Sequence, residues 1–150
     1  MAQRPSLTTS LSYKDPRAAI AWLEKAFGFE LTLLVEDDKG DVGHSDLSFG
    51  SGAVMVGGEW SADHKSPASI GGKNTQSVHM QIDTDLGAHC ERARAAGAEI
   101  IVEPALQFYG DITYRCRDPE GHIWTVAQTV AAVTIEEMAA ATGLKITGRV

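Results

Sequence analysis

The landmarks of this chain occur twice, and that repeat constrains its fold more than any other feature. Gly28 ends one helical pattern and Gly97 a second, with 97 − 28 = 69; Gly52 and Gly121 each precede an apolar strand, and 121 − 52 = 69 again. In the first half Asp15 and Pro16 open an amphipathic run in which Ile20, Leu23 and Phe27 share one helical face. Asp15 suits the N-cap because its carboxylate can accept a first-turn N–H. Pro16 suits the first helical position, and Gly28 can adopt the left-handed stop. In the second half Asp85 precedes Leu86, Cys90 and Ala93 at the same spacing before Gly97. The caps lie 85 − 15 = 70 apart, so a one-residue insertion is expected in the second strand-to-helix turn.

Strands fill the remaining space, predicted over residues 7–13, 30–36, 42–49 and 53–57 in the first half and 77–83, 98–103, 112–117 and 122–128 in the second. Each half then reads βαβββ. The expectation is an α+β protein of two βαβββ modules with a short C-terminal helix. The domain is drawn over residues 1–130, with module one at 5–58, a connection at 59–76 and module two at 77–128. Residues 131–150 form a tail whose helix starts at Thr134, has Glu137 for a capping box and stops at Gly143. The tail reads as an appendage at a dimer contact.

A chain of 150 residues can bury one core without staples. No stretch approaches the apolar length of a membrane span, and the first nine residues lack the apolar region of a secretory signal, so a cytoplasmic location is expected. Cys90 and Cys116 show no metal or redox spacing and read as reduced core or edge residues. The net charge of −7 is spread without a basic run, which argues against nucleic acid or anionic lipid as partner and favours a small molecule.

Tyr13-Lys14-Asp15-Pro16, Phe27-Gly28-Phe29-Glu30, Arg94 through Ile100, Tyr109-Gly110-Asp111 and Asp118 through His122 occur in order over most of residues 7–128. In these segments the chain resembles the vicinal-oxygen-chelate superfamily of glyoxalases, bleomycin-resistance proteins and extradiol dioxygenases, and within it the PhnB-like branch. The resemblance implies that the two βαβββ modules form a paired, cleft-enclosing sheet around a small molecule, and it implies a homodimer. It does not select a reaction, because the superfamily spans lyases, isomerases, dioxygenases, thiol transferases and proteins that only sequester drugs. In metal-dependent members the ligands come from the first and last strands of each module. Those positions fall here on Thr8, Ser77, Val56 and Thr125, which lack the His and Glu donors such a centre uses.

Alternation along the strands sorts side chains by face. Leu47, Phe49, Met80 and Ile82 are expected in the core. The cleft then receives Thr8, Ser10 and Ser12, then His44, Asp46 and Ser48, then Ser77, His79 and Gln81, and finally Thr113, Arg115 and Arg117. His44 reads equally as a general base or as a structural hydrogen-bonding group. Arg115 reads as an anchor for an anion or as the partner of Asp46 or Asp111 in a salt bridge. Tyr109 either covers the cleft or fixes its loop. Trp60 reads as a lid or dimer anchor, and Trp22 and Trp124 as packing residues. His122 is assigned to the turn, and His64 and His89 are expected at the surface.

The leading expectation is a metal-independent small-molecule binder, a resistance or sequestration protein, with ligand contacts from His44, Asp46, His79, Gln81, Tyr109 and Arg115. No metal or cofactor is assigned. The alternative is a lyase, isomerase or dioxygenase with a displaced metal site on His44, Asp46 and His79. A third reading is an interaction module with a vestigial cleft. Whether the chain is an enzyme is left open.

Overall fold

The computed structural model describes residues 3–148; Met1, Ala2, Arg149 and Val150, which the predicted N-terminal segment and tail include, lie outside the described residues. The elements run β1 (Thr9–Tyr13), α1 (Pro16–Phe27), β2 (Glu30–Glu36), β3 (Val42–Phe49), β4 (Gly52–Gly58), β5 (Val78–Ile82), α2 (Leu86–Ala95), β6 (Glu99–Leu106), β7 (Asp111–Arg117), β8 (Ile123–Thr129) and α3 (Ile135–Thr142). The first eight strands and two helices are two βαβββ modules. Each makes a four-stranded mixed sheet, β1-β4-β3-β2 and β5-β8-β7-β6, with one parallel pair formed by its first and last strands.

The caps set the helix ends. Asp15 and Asp85 accept from the N–H groups of Ala18 and Ala88 at 3.0 and 2.8 Å. Gly28 takes φ +83° and returns its N–H to the Glu24 carbonyl. Thr134 and Glu137 complete a reciprocal capping box on α3. Helix α1 puts Ala19, Ile20, Leu23, Ala26 and Phe27 inward, and α2 puts in Leu86, His89, Cys90 and Ala93. These meet Leu11, Tyr13, Leu47, Val54 and Val56 of one sheet and Met80, Ile82, Tyr114, Cys116, Trp124 and Val126 of the other in a single core. Fully burying a large apolar side chain stabilises by roughly 1.5–3 kcal/mol. Because one face of each sheet is spent on this core, the other face of each is left bare.

The modules grip one another at their helix ends. Trp22 Nε1 donates to the Ala96 carbonyl at the end of α2, 2.8 Å away. Arg92, at the matching position of α2 (92 − 22 = 70), donates to the Lys25 and Glu24 carbonyls at the end of α1, at 2.8 and 3.1 Å. A second joint is built by the β7–β8 turn. The buried Asp118 carboxylate accepts from Tyr13 OH at 2.6 Å, Trp124 Nε1 at 3.1 Å and the N–H groups of Glu120 and His122. Glu120 accepts from the N–H groups of Lys14 and Asp15 and from Ser66 Oγ. His122 is more than a turn residue, since its ring lies against Tyr13 and hydrogen-bonds the Ser12 carbonyl at 2.8 Å.

Several expectations need correction. His89 is buried rather than at the surface: Nδ1 accepts from Tyr114 OH at 2.7 Å and Nε2 faces the Phe27 carbonyl at 3.3 Å. Burial pushes its basicity below that of an ordinary histidine, and Arg92 adds to the effect. Strand β1 starts at Thr9, so Thr8 lies outside it and Leu7 is exposed. Strand β6 runs on through Pro104 to Leu106, which an edge strand tolerates, and its register shifts between Val102 and Ala105.

Candidate ligand-binding site

The bare face of module two is shaped by register. His79 pairs with Thr125, Thr125 with Arg115, and Arg115 with Val102, so these four residues lie in a row across β5, β8, β7 and β6. Two rows along, Thr113 follows Arg115 on the same face, since strand side chains alternate. The β6–β7 turn closes one end. Gln107 N–H donates to the Asp111 carbonyl at 2.7 Å, and its side chain donates to Thr113 Oγ1 at 3.0 Å. The turn carries Tyr109 over the sheet, its ring packed edge-on against Phe108. The result is a cavity of about 410 Å³ lined by Ser77, His79, Val102, Gln107, Tyr109, Thr113, Tyr114, Arg115 and Thr125.

Of the six residues expected to contact ligand, His79, Tyr109 and Arg115 are brought together in this cavity. Gln81 shares the face of His79 and donates to Thr129 Oγ1 at 2.8 Å; outside this cavity, it and His79 line a groove with Phe49, Gly50 and Ser51 of module one. His44 and Asp46 lie on the bare face of module one, bonded to each other through Nε2 and Oδ1 at 3.0 Å. Gln107 and Val102 line the cavity without having been anticipated. Residue 107 fell beyond the predicted end of β6, and no face was assigned to the side chains of residues 98–103. Trp60 stands 73% exposed with its ring stacked on His64 at 3.9 Å and lies outside the lining.

Arg115 forms neither of the salt bridges weighed for it. Its Nε donates to Thr125 Oγ1 at 3.1 Å, and among the described residues no carboxylate lies within ion-pairing distance. Nucleophilic chemistry has no support from the cysteines: both are free and buried, and burial raises Cys90 and pushes Cys116 up to about 12.

The donor set also bears on metal. On the bare faces the first and last strands pair Ser10 with Met55 in module one and His79 with Thr125 in module two. Val56 is a core residue, so Met55 occupies the place that Thr125 holds in module two. His79 is the one imidazole or carboxylate among these four. Among the described residues no three His, Cys, Asp or Glu side chains converge as a metal would require. The set does not fit the superfamily's metal centre within one chain, and His44, Asp46 and His79 do not meet there.

Duplicated βαβββ modules around one core, each with a bare sheet face, define a paired-module protein of the vicinal-oxygen-chelate type. The profile of the Glyoxalase/Bleomycin resistance protein/Dioxygenase superfamily matches residues 7–126, and the chain belongs to that superfamily. It is 30% identical over 141 residues to an uncharacterized protein of Mycobacterium bovis, covering 91% of each chain. It is 32% identical to TioX from Micromonospora sp. ML1, with a TM-score of 0.69 over 86% of this chain and 100% of that one. TnmS3, described as an antibiotic binding protein from Streptomyces sp. CB03234, shares the fold at 16% identity, with a TM-score of 0.65 over 86% of this chain and 98% of that one. No described helix is long and apolar enough to cross a membrane.

Proposed function

We propose that this chain is a metal-independent binder of a small organic ligand, acting in the cytoplasm as a resistance or sequestration protein of the PhnB-like branch. The module-two cavity carries this reading: polar groups of Arg115, His79, Thr113 and Gln107 converge beside the apolar surfaces of Tyr109 and Val102. Antibiotic binding by TnmS3 supports it only as a use to which the shared fold is put. The reading extends to a homodimer. Leu33 and Val35 on β2, Leu106 at the end of β6 and Phe108 in the turn after it are exposed, and association of two chains would cover them. A partner's module one would then supply His44 and Asp46 as further ligand contacts, with Gln81 of module two at the edge.

The test is equilibrium dialysis against a panel of aromatic natural products, with mass spectrometry of the recovered compound and light scattering for the assembly. Saturable binding, unchanged compound and insensitivity to chelator are expected. Product formation, or binding lost on chelation, would instead favour the metal-dependent enzyme.

A further inference from the structure

We propose that the module-two cavity selects an organic carboxylate, held by Arg115 with its apolar body against Val102 and Tyr109. This rests on the binding reading above and adds the charge of the ligand. The chain carries 20 acidic against 13 basic residues, yet none of the nine residues lining the cavity is Asp or Glu. The other arginines of the modules are occupied. Arg17 pairs with Glu36, Arg94 with Glu91 and Glu103, Arg117 with Glu99, and Arg92 is spent on the carbonyls of α1.

Arg115 alone among these faces only a hydroxyl, Thr125 Oγ1, which takes its Nε and leaves the two terminal nitrogens without a protein acceptor among the described residues. A guanidinium in that state presents a planar fork that a carboxylate fills with two parallel hydrogen bonds. Thr113 and Gln107 flank the same space and bond each other, so they fix the floor of the site. Within one chain the hollow is acid-free, which lowers repulsion of an anion, and the Asp46 of a partner would arrive already bonded to its own His44.

Benzoate, benzamide and benzylamine present one ring with a negative, neutral and positive group. Each is titrated into the full chain while the amide resonances of Thr113, Arg115 and Thr125 are followed by NMR. Benzoate is expected to shift them saturably and more tightly than the other two. Arg115→Gln should weaken benzoate by about tenfold or more, and Arg115→Lys by less, since an ammonium keeps the charge without the fork. Arg115 is exposed, so both variants should keep the wild-type spectrum elsewhere. Equal binding of benzamide, or an Arg115→Gln variant that binds benzoate as the wild type does, overturns carboxylate selectivity and leaves ligand binding in place. If no compound shifts these residues, both the selectivity and the binding reading fall.

Discussion

The two modules place opposite charges at one point of their bare sheets. Asp46 on β3 pairs with Met55 on β4, and Arg115 on β7 pairs with Thr125 on β8, with 115 − 46 = 69. Asp46 is answered by His44 two residues away on its own strand, whereas Arg115 meets only a hydroxyl. Duplication therefore preserved the backbone register while the side chains took different tasks. At this point module one pairs its charge internally, and module two leaves the terminal nitrogens of Arg115 without an acceptor among the described residues.

The sharpest break of this comparison is expected at the intermodule joint. Asp118→Ala would leave Tyr13 OH, Trp124 Nε1 and two backbone N–H groups without their acceptor, costing about 3 kcal/mol or more in urea unfolding. At the matching position of module one (118 − 49 = 69), Phe49 packs on Phe29 with ring centroids 5.2 Å apart. Phe49→Ala should lose about 2 kcal/mol because that residue is only half-buried. A larger loss at Phe49 than at Asp118 would show that apolar packing within module one outweighs the buried carboxylate.

The tail leans on module two through Gly110. Gly110 has φ +95°, its carbonyl accepts from the N–H groups of Val130 and Ala131, and a Cβ there would stand 2.2 Å from the Ala131 carbonyl oxygen. Gly110→Ala is expected to cost about 2 kcal/mol and to raise hydrogen exchange across residues 130–134. Unchanged exchange would mean that the tail is held elsewhere. Trp22→Phe, which removes the bond to Ala96, should cost about 1 kcal/mol. Arg92→Met should cost less, because its guanidinium is near solvent.

The smallest effect separates the modules by pH. His89 in module two matches Ala19 in module one (89 − 19 = 70), so only module two holds this buried imidazole. Its folded basicity is depressed below the ordinary value of 6.5, so the stability it contributes is present above that pH. That stability is lost as pH falls and the unfolded chain takes up the proton first. His89→Gln should flatten the decline of thermal stability below pH 6.5, and an identical decline in the variant would assign it to other groups. Tyr13, Tyr114 and Cys116 shift the opposite way, since burial raises all three. Their contribution is present below about pH 9 and falls away as pH rises further.

The repeat was legible because capping and turn chemistry is local. Asp15, Pro16 and Gly28 announce α1 by their own properties, and the same holds for Thr134, Glu137 and Gly143 on α3. The pattern misled where one residue of difference mattered. β3 and β7 match at an offset of 69, but Met55 and Thr125 face each other's places at 125 − 55 = 70. The last-strand position therefore read as Val56, a core residue. His89 was misjudged because its burial depends on α1 ending beside it, a contact 62 residues away in sequence. The freedom of Arg115 was equally hidden, since alternation gives the face a side chain takes but not which acids come within reach.

The exchanged donors at positions 22 and 92 bear on how the chain assembles. Each helix finishes its last turn with a group borrowed from the other half, so neither half alone has everything its helix end requires. A fragment cut within residues 59–76 would lose those acceptor contacts along with half of the shared core. The two modules are thus interdependent, and unfolding should proceed as one cooperative transition rather than module by module.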